Sequence, residues 1–187
     1  AFLDEPVALA EAQIDINFRG VMYGMQLALP RMLSHRRGHI VNIASLAGRF
    51  AIPGSAIYSG TKFAVVGMTE AVASEYRDTG VEFTVIMPSK VTTELTSGLD
   101  DASWGVPSVS PQQVAASVVE AVRRPRLFVA VPDYLQAAHA LYTLLPAGIR
   151  DRGRRLLNDT RLLRDMDHSA HANYANRISA LAKKADS

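Results

Sequence analysis

A tyrosine and a lysine stand four residues apart in the stretch YSGTK, at Tyr58 and Lys62. On a helix this spacing places both side chains on one face. An ammonium group within about 4–6 Å of a phenol lowers the phenol's pKa by roughly 1–3 units from its ordinary value near 10. A tyrosine in that setting can donate and accept a proton near neutral pH. The alternative is an ordinary pair on a solvated helix surface.

Two further polar residues stand where they could complete an acid–base centre. Ser45 lies thirteen residues before Tyr58, after a β-branched run and before the loop that leads to Tyr58. Its hydroxyl could hold a substrate oxygen beside the phenol, or it could simply cap the loop. Asn17 interrupts an apolar helical pattern. Its side chain and a freed backbone carbonyl could order a water behind Lys62, or Asn17 could only break the helix.

These side chains need strands and helices to position them. Short apolar, β-branched runs predict strands at 39–44, 81–88 and 126–131. Helical periodicity and end signals predict helices at 6–35, 55–78, 110–124 and from 133 to about 145, the first of them interrupted at Asn17 and Gly20 and strained near Pro30. Ser110, Pro111 and Gln113 have the pattern of a capped helix start. The alternation of strands and helices predicts a parallel α/β sheet with helices on its faces.

Ligands of such sheets bind beyond the carboxyl ends of the strands. Ser45 follows the first predicted strand and Ser89 follows the second, so both should face one crevice. The polar stretch from Ser89 to Val109 is long for a simple connection. It predicts a mobile substrate loop from Ser89 to about Trp104.

The C-terminal part is predicted to be a helical extension. We divide the chain into a catalytic part at 1–132 and an extension at 133–187. The apolar helix DYLQAAHALYTLL is followed by arginines at 150, 152, 154 and 155. That order could anchor the protein at a membrane surface. Packing against the rest of the fold or a partner subunit is the interpretation that the sequence favours.

Composition excludes several other classes of protein. The chain has 187 residues, 48% of them hydrophobic and 20% charged, which is typical of one globular domain. A net charge of +2 gives no case for nucleic-acid binding. The chain has no cysteine, and its five histidines form no ligand pattern, so we predict no metal site. We find neither a signal-peptide pattern nor a run long enough to span a membrane, and we expect a cytoplasmic protein.

Four of these residues together carry a resemblance to a known family. Asn17 in DINFRG, Ser45 in GHIVNIASLAG, and Tyr58 and Lys62 in YSGTKFAV resemble the catalytic tetrad of the short-chain dehydrogenase/reductase family. The segment IMPSKVTTEL resembles the strand end that meets the nicotinamide in that family. The family usually has a glycine where this chain has Ser89, and the similarity runs from about residue 14 to residue 95.

The resemblance implies part of a Rossmann-like, doubly wound parallel sheet and an oxidoreductase that uses NAD or NADP to interconvert an alcohol and a ketone or aldehyde. In that interpretation Tyr58 transfers the proton, and Lys62 lowers the pKa of Tyr58 and binds the nicotinamide ribose. Ser45 holds the substrate oxygen, and Asn17 completes a proton relay through water. Three further residues would line the nicotinamide: Pro88, Val91 and Thr93, of which Thr93 could also be an ordinary turn residue.

The glycine-rich turn that binds the dinucleotide phosphates in this family has no counterpart in the sequence. We therefore expect the functional protein to contain more chain, including the residues that choose between NAD and NADP. A catalytically silent relative or fragment, acting as an oligomerising or membrane-surface module, is the alternative.

Two further expectations concern the substrate and the partner subunits. The apolar residues expected near the site predict a lipophilic substrate: Ile52, Pro53, Leu95 and Trp104. The helices around Met22–Leu33 and Val65–Val72 are apolar on more than one side. Equivalent helices pair between subunits in the family, so we expect a homo-oligomer.

Overall fold

The computed structural model describes residues 2–92 and 107–156, with side chains up to residue 153. Short 3₁₀ turns at Phe2–Asp4 and Leu46–Gly48 accompany the main elements. The main elements are, in chain order, α1 (Val7–Ile14), α2 (Gly20–Ser34), β1 (Gly38–Ile43), α3 (Ala56–Glu75), β2 (Val81–Pro88), α4 (Pro111–Arg123), β3 (Phe128–Val131), α5 (Tyr134–Leu144) and α6 (Ala147–Leu156).

The three strands form a parallel sheet in the order β1-β2-β3. Gly38 lies opposite Val81, and Val85 lies opposite Phe128. Helices α2 and α3 pack on one face of the sheet and α4 packs on the other. The predicted doubly wound α/β architecture is confirmed.

The core consists of three apolar clusters around β2. Two clusters lie between the sheet and α2 or α3, and the third lies between the sheet and α4. Strand β2 supplies side chains to all three, and Val85 and Ile86 are fully buried on opposite faces. A central parallel strand is covered on both faces, which explains why every residue of β2 except Glu82 is buried.

The first helical segment is continuous, although the sequence pattern predicts an interruption at Asn17. Helix α1 runs into a π-helical segment at Asp15–Arg19 and then directly into α2. A π-helical turn accommodates an extra residue without ending the helix, so the apolar pattern shifts while the backbone continues. Helix α2 also passes through Pro30, which lies on its exposed side, where water can satisfy the carbonyl left without a donor.

Several element ends differ from the predicted ones by a few residues. The Ser110 capping box is present, with its side chain and that of Gln113 bonded reciprocally to the backbone. Helix α3 ends at Glu75, three residues before the predicted end, because the turn to β2 uses positive φ angles at Asp78 and Gly80. A Cβ at Gly80 would lie 2.2 Å from the Arg36 carbonyl oxygen, so only glycine fits there.

The predicted substrate loop is held together at its base. Val91 pairs with Val109 in a parallel bridge, and Ser89 Oγ donates a hydrogen bond of 2.7 Å to the Pro107 carbonyl. Residues 93–106, which include Leu95 and Trp104, lie outside the described residues. The predicted mobility of the loop therefore stays a prediction.

The C-terminal extension begins with α5, and one face of this helix packs against the core. Leu135 contacts the apolar cluster that includes Val85 and Ala130, and the rings of His139 and Tyr142 contact the ring of Phe50. Residues 157–187 lie outside the described part of the chain, and the division at residue 133 stays a prediction. None of the helices in the described part of the chain combines the length and the apolar composition that a membrane span requires.

Candidate active site

The polar side chains singled out in the sequence gather at the carboxyl ends of β1 and β2. Strand β1 ends at Ile43, and Ser45 follows two residues later. Strand β2 ends at Pro88, whose carbonyl faces the Ser45 hydroxyl. Helix α3 starts at the same end of the sheet and carries Tyr58 and Lys62 in its first two turns. The structure thus brings residues from three elements to one edge.

Tyr58 and Lys62 face each other along α3. The Lys62 ammonium nitrogen lies 5.6 Å from the centroid of the Tyr58 ring. The same nitrogen donates a long hydrogen bond of 3.4 Å to the Ile43 carbonyl at the end of β1. Lys62 therefore joins the helix to the strand and places a positive charge beside the phenol ring.

Burial lowers the pKa of the Lys62 ammonium below its ordinary value of 10.5. The side chain is only partly buried, and its charge is poorly hydrated there. A poorly hydrated ammonium interacts more strongly with nearby hydroxyl and anionic groups than one in bulk water. A ligand that binds beside Tyr58 would therefore interact strongly with the positive charge of Lys62.

Ser45 combines a capping role with an accessible hydroxyl. Its Oγ accepts a hydrogen bond of 3.1 Å from the Ala47 amide, which caps the 3₁₀ turn that follows β1. The hydroxyl lies 3.5 Å from the Pro88 carbonyl, at the limit of a hydrogen bond. Because that contact is long, the hydroxyl proton can turn to a substrate oxygen without losing a strong bond.

Asn17 reaches α3 through Thr61, which the sequence analysis did not single out. The Asn17 amide donates a hydrogen bond of 3.4 Å to the Thr61 hydroxyl. That hydroxyl in turn donates to the Tyr58 carbonyl at 2.8 Å. Thr61 is buried and precedes Lys62 in the chain. Its position inside YSGTK was the available signal, although a threonine there carries no chemistry of its own.

Gly48 is a second residue that the sequence analysis missed. A Cβ at Gly48 would lie 2.6 Å from the Lys62 carbonyl oxygen and 3.0 Å from Val66 Cγ2. Only glycine lets the turn after Ser45 lie directly against α3 at Lys62. The available signal was its place, three residues after Ser45, in the connection that returns to α3.

The residues predicted to line the nicotinamide lie at different places in the structure. Pro88 is buried at the end of β2, and Val91 lies at the base of the loop. Thr93 lies outside the described residues. Ser89 stands where the family has glycine; its amide donates to the Val131 carbonyl at 2.8 Å while its hydroxyl holds Pro107. Ser89 therefore ties the loop base to β3.

Ile52 and Pro53 line an apolar groove of about 410 Å³ along the start of α3. The groove also includes Ala56, Gly60 and Phe63. With 3.6 residues per turn, these helix positions lie on a different face of α3 from Tyr58 and Lys62. Ile52 and Pro53 therefore line a groove to which Tyr58 does not contribute.

Comparison with known proteins adds the following relatives. A family profile described as short chain dehydrogenase matches residues 2–104. An uncharacterized oxidoreductase of Staphylococcus saprophyticus is 36% identical over 121 residues, which cover 60% of this chain and 49% of that protein. One of Staphylococcus aureus is 37% identical over 116 residues, or 62% of this chain and 49% of that protein. The chain thus spans about half the length of these curated relatives.

Solved structures share the fold. A short chain dehydrogenase of Burkholderia cenocepacia in complex with NADP gives a TM-score of 0.65 at 24% identity, covering 79% of this chain and 60% of that one. Serine dehydrogenase of Escherichia coli gives 0.58 at 25% identity, with 68% and 54% covered. A 4-hydroxyisoleucine dehydrogenase complexed with NADH and succinate gives 0.51 at 26% identity, with 58% and 48% covered.

Proposed function

Because this chain belongs to the short-chain dehydrogenase family, we propose that the whole protein is an NAD(P)-dependent oxidoreductase that interconverts an alcohol and a ketone or aldehyde. The observation that carries this proposal is the Lys62 ammonium, held 5.6 Å from the Tyr58 ring at the carboxyl end of β1. A phenol beside a fixed positive charge suits the transfer of one proton to or from a substrate oxygen.

Tyr58 is the proposed general acid and base. In reduction its phenol donates a proton to the carbonyl oxygen of the substrate, and in oxidation its phenolate removes a proton from the alcohol. Lys62 stabilises the phenolate by its charge, and low hydration strengthens that effect. The hydroxyl of Ser45 donates a hydrogen bond to the same substrate oxygen and fixes it near the phenol.

Asn17 has the proposed role of supporting a proton path to solvent. The described contacts place its amide against Thr61, which lies in the chain between Tyr58 and Lys62. The π-helical segment shifts the backbone pairing at Asn17, and such segments often accompany functional sites. A water held by the backbone there can pass protons to and from Lys62.

The residues at this edge of the sheet fit the nicotinamide ribose end of a dinucleotide. A partly buried lysine beside the strand ends offers the donor that ribose hydroxyls require, and the partly buried Val91 offers apolar surface near the same edge. When bound, the nicotinamide supplies or accepts the hydride. Lys62 would hold the ribose, and Pro88, Val91 and Thr93 would lie along the nicotinamide. NADP or NADH in the similar structures supports either nucleotide as cofactor.

The substrate class is proposed more broadly than the sequence first suggested. A small-molecule alcohol or ketone follows from the proton chemistry of Tyr58. A lipophilic substrate is supported by the apolar residues Leu95 and Trp104 of the sequence, while Ile52 and Pro53 line a groove that does not include Tyr58. The proposed location is the cytoplasm, a prediction that rests on the sequence alone.

We propose that α2 and α3 also form the contact between subunits of a homo-oligomer. Leu27 on α2 is 81% exposed, and Tyr23 on α2 and Phe63 on α3 are exposed as well. Gly60 and Gly67 have open space around them on the outer side of α3. Large apolar side chains beside small ones are suited to close packing against a second helix pair.

The proposed function is tested by a screen of the full-length protein for nicotinamide-linked turnover. Alcohols of increasing size are offered with NAD⁺ or NADP⁺, and the matching ketones and aldehydes with NADH or NADPH, while the absorbance of the reduced nicotinamide is followed. We expect turnover with one nucleotide and one group of alcohols. A folded protein that binds the nucleotide but turns over none of these substrates would instead support the catalytically silent module.

A further inference from the structure

Helix α5 has two unlike faces, and only one of them is used within the described residues. Its inner face carries Leu135, His139 and Tyr142, which pack on the core and on Phe50. Residues half a turn away form the outer face, where Leu141 is 64% exposed and Leu144 is 80% exposed. The outer face also includes Tyr134 and Ala137, both exposed.

Helix α5 contains no charged residue, which is unusual for a helix with an exposed side. The apolar surface continues past its end through Leu145 and onto Ile149 of α6, both of which are exposed. Scattered apolar residues on a surface need no explanation, but a continuous apolar strip along a helix marks an interaction site.

Helix α6 adds positive charge at the end of this strip. Its sequence, AGIRDRGRRL, contains four arginines and one aspartate. The guanidinium of Arg150 lies 5.5 Å from the ring centroid of Tyr142, so α6 is held against α5. Arg152 is exposed. An apolar strip therefore ends beside a basic helix.

We propose that the outer face of α5, with the start of α6, docks on a lipid surface that carries anionic headgroups. Acyl chains accept the leucines of the strip, and anionic headgroups accept the arginines next to it. A second copy of the chain fits less well, because a symmetric contact uses the same patch on both sides and this patch supplies more positive than negative charge. The exposed leucines and the charge of α6 favour membrane-surface anchoring, which the sequence alone favoured less than packing against the fold or a partner subunit.

The docking surface is separate from the candidate active site. The inner face of α5 contacts Phe50, five residues after Ser45, while the leucines point away from it. Changes to Leu141 or Leu144 should therefore leave Tyr58 and Lys62 in place. Lipid binding and turnover can be measured independently on the same variants.

Binding of the full-length protein to vesicles tests the proposal. Vesicles of phosphatidylcholine with phosphatidylglycerol are compared with vesicles of phosphatidylcholine alone, at low and high salt, by cosedimentation. We expect binding to the anionic vesicles that weakens as salt rises. The double variant Leu141→Gln and Leu144→Gln should weaken it by roughly 10-fold or more, and Arg152→Gln by roughly 5-fold.

Helix α4 offers a matched control, because Val119 and Val122 are also exposed and three residues apart. The double variant Val119→Gln and Val122→Gln should leave vesicle binding within about 2-fold. Failure of the wild-type protein to bind anionic vesicles would overturn the proposal. So would leucine variants that bind vesicles normally, and a changed oligomeric state in those variants would then identify the face as a contact between copies. Circular dichroism of each variant checks that α5 remains folded.

Discussion

At Lys62, the partial burial that serves the proposed chemistry also lowers the stability of the fold. Burial lowers the pKa of its ammonium, which means that the folded protein holds the charged form less favourably than the unfolded chain does. Its hydrogen bond to Ile43 is long and compensates little of that loss. A partly buried charge that lowers stability and lies beside a phenol is typical of a functional site.

We predict that Lys62→Met abolishes turnover without destabilising the fold. Methionine fills a similar space and removes the poorly hydrated charge, so the free energy of unfolding at neutral pH should stay equal or rise. The wild-type stability should increase with pH as the ammonium deprotonates, since the unfolded chain binds more protons there, and the variant should lack this increase. Urea denaturation across the alkaline range and steady-state turnover measure the two effects.

Lys62→Arg provides the control for this prediction. It keeps the positive charge but replaces a compact ammonium with a planar group of different geometry. Turnover in Lys62→Arg should remain far below that of the wild type. Full turnover in Lys62→Met would remove Lys62 from the proposed mechanism.

The sequence identified the four polar residues of the candidate site but missed two that position them. Tyr58, Lys62, Ser45 and Asn17 could be found because their side chains carry chemistry and their spacing matches a family. Thr61 acts through a contact with a residue 44 positions away, which no local pattern encodes. Gly48 matters because it lacks a side chain, and a close approach becomes visible only when both elements are placed.

The turn after β1 and helix α3 pack so closely that one methyl group should separate them. We predict that Gly48→Ala lowers the free energy of unfolding by roughly 1–3 kcal/mol, because its Cβ would meet the Lys62 carbonyl at 2.6 Å. The displaced helix should also move Tyr58 and Lys62 relative to Ser45, so turnover of the full-length protein should fall. Chemical denaturation and turnover are measured on the same preparation.

Gly153→Ala, inside helix α6, is the control. A Cβ at Gly153 meets nothing within 4 Å, and alanine is the better helix former by roughly 0.5–1 kcal/mol. This variant should be as stable as the wild type or more so. Equal stability of Gly48→Ala and the wild type would show that the turn can yield, contrary to our account.

The contact that His139 of helix α5 makes with the core should contribute less to stability at acidic pH. Burial, and second the charge of Arg49, lower the pKa of His139 below its ordinary value of 6.5. A hydrogen bond with the Arg49 backbone has the smaller, opposite effect of raising that pKa. The unfolded chain therefore binds a proton at His139 before the folded protein does, and stability falls as pH drops below about 6.5. We predict a smaller acid loss in His139→Gln, measured by urea denaturation at neutral and acidic pH.

Some acid sensitivity should remain in that variant. His39 also has a lowered pKa, caused by burial and opposed by the charge of Glu82, and it hydrogen-bonds Thr84 at 2.8 Å. The double variant His39→Gln and His139→Gln should therefore be less sensitive than either single variant. Identical pH dependence in wild type and His139→Gln would mean that His139 titrates alike in the folded and unfolded states.

Element types followed from the sequence, whereas their ends and joints depended on tertiary contacts. Periodicity and capping residues predicted the helices, and the Ser110 capping box is present as expected. The joint between α1 and α2 was predicted as a break, because a shifted apolar pattern looks the same whether the helix ends or takes a π-helical turn. The base of the loop is fixed by Ser89 and Pro107, eighteen residues apart, and no local signal predicts such a bond.

At the scale of the whole molecule, the described residues form a three-stranded sheet with β1 at one edge. Among them, no strand pairs with the outer edge of β1, and Ile43 at its end is 42% exposed. The sequence contains no glycine-rich dinucleotide-binding turn, and the chain spans about half the length of its curated relatives. We therefore separate two roles: proton transfer, which we propose for Tyr58, and dinucleotide binding, for whose phosphates this sequence offers no glycine-rich turn.

This division of roles is tested most directly by Tyr58→Phe in the full-length protein, with Tyr76→Phe at the other end of α3 as the control. Loss of the phenol oxygen removes the proton donor and leaves the ring in place. We predict that turnover falls by roughly 10²–10⁴-fold while the dissociation constant of the dinucleotide changes by less than about 3-fold, and that Tyr76→Phe changes neither. Wild-type turnover in Tyr58→Phe, with the dinucleotide bound normally, would contradict the account.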